Sequence, residues 1–183
     1  MLQYFFAQTV SAKPTKGLFD DLAIAKHPDC MAHQGKSPVI SLTLKGVKGL
    51  DFESAITALY EQVRRAYENH RYLVDSNKLS EQEKKIIFRH LEKNASINEL
   101  KESISTLSLF IHKHSGKKAY LMIDEYDTAI QEAYLHHYYE TMISFMRSFL
   151  SSSLKDNTAI KKAILTGILR ISKESLFFQL FAN

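Results

Sequence analysis

Asp124 and Glu125 stand side by side at the end of the apolar run Ala119-Tyr120-Leu121-Met122-Ile123, with Asp127 two residues further on. Adjacent carboxylates suit phosphoryl chemistry. One can hold Mg²⁺, usually through water, so that the metal offsets phosphate charge. The other can orient or deprotonate an attacking water. Such chemistry needs the pair in a defined place. A short apolar run with polar bounds reads as a strand of a parallel sheet, apolar on both faces because helices cover it. The acids then fall at its carboxyl end, where open α/β sheets place their ligands. Taken alone, the pattern equally describes a core strand running into a solvated acidic turn. Asp127 equally suits the N-cap of a following helix.

The elements that must position this pair are legible on both sides of it. Val39-Ile40-Ser41-Leu42-Thr43-Leu44 is a β-branched strand,. Asp51 can cap a helix running to about Val74, with Phe52, Ile56, Leu59, Tyr60, Val63 and Tyr67 as its stripe,. Ser80 with Glu83, and Ser96 with Glu99, are capping boxes that open helices over 81–93 and 97–114,. Gly116 is a stop before the acidic strand,. After Asp127 the periodicity predicts one long helix over 128–154, ended by Lys155-Asp156-Asn157,. Ile160 to Thr166 reads as another strand, and Ser172 caps a last helix over 173–181. Leu2 to Gln8 looks like a helix that begins in mid-stride, and Thr9 to Lys16 like a loop,. Strand, helices, strand, helix, strand is the rhythm of an α/β parallel sheet.

Composition narrows the function classes. The 183 residues are 45% hydrophobic and 24% charged, which suits one domain with a sizeable core,. The net charge of +4 is spread along the chain; a phosphate-bearing ligand fits it, and a nucleic-acid partner is not required by it,. Cys30 is the only cysteine, so no internal disulfide forms, in keeping with a reducing cytosol,. No apolar run approaches a membrane span, and the first residues lack the basic start of a signal peptide,.

Several other constellations read as structural. Gly35-Lys36-Ser37 is not a phosphate-binding loop. Cys30 stands where the motif needs its first glycine, and Pro38 and a strand follow where a helix should open,. His112 with His114, and His136 with His137, lack the four-residue helical spacing of metal ligands,. Glu83-Lys84-Lys85 lies on a helical polar face, which makes it a poor nuclease signature. Tyr134, Tyr138 and Tyr139 read as packing and rim residues,.

The ordered set Leu121-Met122-Ile123-Asp124-Glu125-Tyr126-Asp127, Tyr138-Tyr139, Phe145-Met146-Arg147-Ser148-Phe149, Leu154-Lys155-Asp156-Asn157 and Leu165-Thr166-Gly167-Ile168-Leu169-Arg170-Ile171-Ser172-Lys173-Glu174-Ser175 resembles the bacterial AAA-ATPase-like family, a P-loop group related to STAND-type ATPases. The resemblance is dense over 118–181. It is thinner over 1–45, where Tyr4-Phe5-Phe6, Leu18-Phe19 and Pro38-Val39-Ile40 carry it, and weak between. It makes the acidic strand a Walker B strand. It implies Asp124 as the Mg²⁺-water ligand, Glu125 as the catalytic base, and Thr166 as the sensor of the γ-phosphate. Arg170 is implied as a phosphate-sensing arginine, with a structural salt bridge as the alternative.

The fold implied is a partial P-loop three-layer α/β sandwich, a single domain over 1–183 with the Walker B and sensor strands present. Family members carry an Arg-Arg-Phe-Gly-Lys-Ser type loop whose helix runs into a segment like Leu2 to Phe6. The resemblance therefore implies a fragment that lacks the P-loop strand and is truncated at both ends. The parent function is Mg²⁺-dependent ATP hydrolysis coupled to conformational change in the cytoplasm. ATP and Mg²⁺ are its cofactors, neither held tightly by this chain alone. The expected partners are a second copy or the missing parts of the parent, and no membrane. Two rival readings stay open: a non-catalytic remnant or interaction module, and a metal-dependent phosphodiesterase using Asp124, Glu125 and Asp127.

Overall fold

The computed structural model describes residues 1–10 and 13–167. Arg170 and the helix expected over 173–181 lie outside them. Helix α1 spans Leu2–Phe6, and a short hairpin pairs β1 (Thr9–Val10) with β2 (Lys13–Pro14) where a plain loop was expected. Helix α2 (Pro28–Met31) precedes β3 (Val39–Thr43). Then come α3 (Phe52–Asn69), α4 (Glu81–Leu91) and α5 (Ile97–Ser115), followed by β4 (Ala119–Asp124), α6 (Thr128–Leu135), α7 (Tyr139–Leu154) and β5 (Ile160–Leu165).

The helix starts follow local chemistry. Both capping boxes form in full: Ser80 with Glu83 opens α4, and Ser96 with Glu99 opens α5. The Asp51 carboxylate accepts from the Ser54 backbone N–H at the start of α3. Gly116 ends α5 at φ 72°, a left-handed position that glycine occupies without a Cβ penalty,. Two expectations are corrected. The helix from Asp51 stops at Asn69, and Arg71–Asp75 is a 3₁₀ turn. The single helix over 128–154 is two, because His137 takes a left-handed φ of 64° between α6 and α7. Apolar periodicity passes smoothly through that break, so the pattern hides it.

Strands β3, β4 and β5 form a parallel sheet in that order, with β4 central. Side chains alternate across it. Ile40, Leu42, Leu121 and Ile123 point into the main core, with Leu59, Ile104, Leu107, Met146 and Phe149 from the helices. Truncating any of these fully enclosed leucines or isoleucines to alanine costs about 2–5 kcal/mol. The opposite face carries a smaller cluster of Val39, Tyr120 and Met122 with Phe6, Ala7 and Val10. Phe6 stacks on Tyr120 with ring centroids 4.3 Å apart. The fold is thus mixed α/β around a three-stranded parallel sheet, consistent with a partial P-loop-type sandwich.

Beyond β5 no further strand pairs among the described residues. Ala163-Ile164-Leu165-Thr166 has neither proline nor charge to blunt such an edge, though Lys161 and Lys162 flank it,. The 183-residue chain is expected to be poorly soluble, to associate through this edge, or to depend on a partner, which sizing chromatography checks. A monomer with strong amide protection across 160–166 would show the edge to be covered.

Candidate active site

The carboxyl ends of β4 and β5 meet in a small constellation. Ile123 pairs with Leu165, so the next residues, Asp124 and Thr166, come together as neighbours. Backbone bonds hold both. The Leu44 N–H donates to the Asp124 carbonyl at 2.8 Å, the Thr166 N–H to the Ile123 carbonyl at 2.9 Å, and the Tyr126 N–H to the Thr166 carbonyl at 3.2 Å. The Thr166 hydroxyl donates to Asp124 Oδ1. Asp124 and Thr166 are both exposed.

Glu125 follows in a left-handed conformation, φ 54°. This region is uncommon for a residue with a Cβ and costs on the order of 1 kcal/mol or more. It turns the chain sharply off the strand, and the Thr128 N–H closes the turn on the Glu125 carbonyl at 3.1 Å. The half-buried Glu125 side chain makes no hydrogen bond or ion pair within the described residues, which suits a group that must act on a ligand.

Asp127 stands at the head of α6. It occupies the N-cap position of α6, but its side chain makes no capping hydrogen bond. It is 1% exposed, and Gln131 Nε2 donates to its Oδ2 at 3.2 Å. Gly167 lies directly against it. A Cβ at Gly167 would sit 2.8 Å from Asp127 Oδ1 and 2.9 Å from Tyr126 Cε1. Gly167→Ala is therefore expected to push the chain after Thr166 away from the acidic turn. Overpacking of this kind costs about 1–3 kcal/mol, and urea unfolding would read it. Unchanged stability would mean that the turn relaxes freely and does not hold Thr166 against Asp124.

The donor set is all oxygen: an exposed carboxylate, a hydroxyl and a second carboxylate one residue on. Such a set matches Mg²⁺, which prefers oxygen ligands and keeps several of its waters.

The family described as "Predicted AAA-ATPase" matches residues 1–177. The chain belongs to the AAA-ATPase-like family. No curated protein matches it, and no solved structure does.

In this AAA-ATPase-like chain the other candidates make contacts within the fold. Gly35-Lys36-Ser37 is docked on α1, the Gly35 N–H donating to Phe5 and the Ser37 N–H to Phe6, and it leads into a strand. Glu83 completes the α4 capping box and pairs with Lys113 at 2.8 Å. Tyr138 donates its hydroxyl to the Gly49 carbonyl at 2.9 Å, and Tyr134 meets Tyr139 edge to face. His136 lies 3.7 Å from Glu132, and His114 Nδ1 lies 2.8 Å from the Ser76 hydroxyl. Among the described residues no three His, Cys, Asp or Glu side chains converge on a point that could hold a metal. No helix among them is long and apolar enough to cross a membrane. Two features were missed from sequence. The packing role of Gly167 had one signal, a glycine immediately after a strand. The burial of Asp127 had none, because it depends on how β5 returns beside β4.

Proposed function

We propose that the carboxyl end of this sheet is the metal-and-water half of an ATP-hydrolysing site. The observation that carries the reading is the Thr166 hydroxyl bound to Asp124 at the ends of neighbouring parallel strands, with Glu125 next in the chain at a left-handed φ. Bound Mg²⁺ would supply neutralisation of phosphate charge there, with Asp124 holding it through water. Thr166 fixes one oxygen of Asp124 and so orients the other. With a nucleotide bound, Thr166 would be the candidate sensor of the terminal phosphate. Glu125 orients the attacking water and takes its proton. Arg170, four residues beyond Thr166, is the candidate for a phosphate-sensing cation. An ATP-using role suits a cytoplasmic protein, and the reading makes the chain kin to STAND-type bacterial ATPases that couple hydrolysis to a change of shape. The phosphodiesterase reading is less well supported, because it needs Asp127 at the metal and Asp127 is buried against Gln131 and Gly167.

The 183 residues contain no glycine-rich Lys-Ser loop of the required spacing. Such loops provide most of the phosphate contacts in this chemistry. The chain by itself is therefore expected to hydrolyse ATP no faster than an Asp124→Asn, Glu125→Gln double variant. A phosphate-release assay with and without Mg²⁺ checks this. Clear Mg²⁺-dependent turnover that the double variant loses would mean that these residues bind the phosphates unaided. A polypeptide that joins a glycine-rich loop ahead of them tests the positive half of the proposal, since it should hydrolyse ATP.

A further inference from the structure

The opposite end of the sheet holds a cavity of about 430 Å³, in the size range of small-molecule sites,. It is lined by Lys36 from the loop before β3, by Asn69, His70 and Tyr72 from the end of α3 and its turn, and by His114 and Lys117 from the α5–β4 junction. Among the described residues no Asp or Glu lines it. Two lysines in the lining of a concave surface focus a positive potential into it,.

Its polar framework is built from the inside. His70 is buried, and its Nε2 lies 3.1 Å from the Val39 carbonyl. A carbonyl only accepts, so this nitrogen carries a proton. Burial pushes the imidazole down to about 4, which leaves it neutral near pH 7. Nδ1 must then accept, and the Tyr72 hydroxyl donates to it at 3.0 Å. Tyr72 is thereby held by a buried group while 45% of its surface stays open. Its ring lies 5.3 Å from that of His114, which the Ser76 hydroxyl holds in turn. Lys117 Nζ donates to the Lys36 carbonyl at 3.1 Å, drawing the two lysine-bearing loops together. An ammonium has three donors, so two remain.

We propose that this cavity binds a small organic phosphate bearing a planar ring, of the nucleoside-monophosphate class, with Lys36 and Lys117 on the phosphate and Tyr72 against the ring. The site is separate from the carboxylates. Val39 pairs with Tyr120 at this end and Thr43 with Asp124 at the other, so roughly 13 Å of strand lies between them,. The proposal does not depend on ATP hydrolysis.

The test is titration calorimetry on the 183-residue chain in EDTA, with AMP, ribose 5-phosphate and adenosine as probes. AMP is expected to bind without Mg²⁺, and each half-molecule to bind more weakly. Lys36→Glu/Lys117→Glu is expected to weaken AMP by at least about tenfold, because two attractive contacts become repulsive. Lys36→Glu alone, on an exposed side chain, should act in the same direction and guards against a misfolded double variant. Tyr72→Ser should reduce AMP to the affinity of ribose 5-phosphate. No AMP binding at about 1 mM, binding that needs Mg²⁺ or is lost in Asp124→Asn, or binding untouched by the lysine reversals overturns the proposal.

Discussion

Glu125→Gln is expected to leave ATP binding intact and to lower turnover by about 10²–10⁴-fold in a polypeptide that joins these residues to a glycine-rich phosphate loop. The amide fills the same space and can still hydrogen-bond to a water, but it cannot take a proton from it. The left-handed turn at Glu125 adds a reason to choose glutamine over glycine or alanine. Glycine would relieve the backbone cost and loosen the turn, so a loss of rate would have two causes. Asp124→Asn has a different expected signature. It weakens Mg²⁺-dependent nucleotide binding as well as turnover, because it removes charge from the metal position. Fluorescent-nucleotide binding measured beside single-turnover hydrolysis separates the two. Unchanged kcat in Glu125→Gln would remove that residue from the mechanism. Equal loss of binding and rate in both variants would make the acidic pair a single metal-holding unit.

The second large effect is on stability in acid. His70 and His90 are buried, and burial lowers each from an ordinary value of 6.5 to about 4. His90 stacks on Tyr67 at 4.3 Å, and its Nδ1 finds no partner among the described residues. Near His90, Glu99 favours the charged form and Arg89 opposes it, and desolvation outweighs both. The unfolded chain protonates these imidazoles first. Stability is therefore complete above about pH 6.5 and is lost as pH falls toward 4. At pH 5 the loss is about 2 kcal/mol for each histidine. Together that is about 4 kcal/mol, against a typical margin of about 5–15 kcal/mol. Glu99, which the Ser96 backbone N–H and Arg89 hold at about 2, loses its contribution mainly below this window. Urea unfolding at pH 7.5 and pH 5 checks the sign. His90→Phe keeps the stacking and removes the proton site, so it should roughly halve the drop. Equal stability of the parent at the two pH values would mean that both imidazoles escape desolvation.

Local chemistry determined much of this protein before any contact was known. Ser80 with Glu83, Ser96 with Glu99, Asp51 and Gly116 are short-range signals, and each sets a helix boundary where expected. The apolar runs within 39–43, at 119–123 and at 163–165 all lie in strands, as expected where helices cover a sheet,. The same logic put Asp124 and Glu125 at a carboxyl edge, and the ordered motifs pointed to the family that matches residues 1–177. The tertiary structure alone decided the register of the neighbouring strands, and so that the Thr166 hydroxyl meets Asp124 across 42 residues. It decided that Asp127 faces Gln131 and Gly167, that His137 breaks a helix whose periodicity never falters, and that His70, Tyr72, His114 and two lysines gather at the far end. These are long-range or backbone facts. A capping box or an apolar stripe is written within a few residues of itself, whereas a contact between distant elements exists only once the sheet has chosen its order.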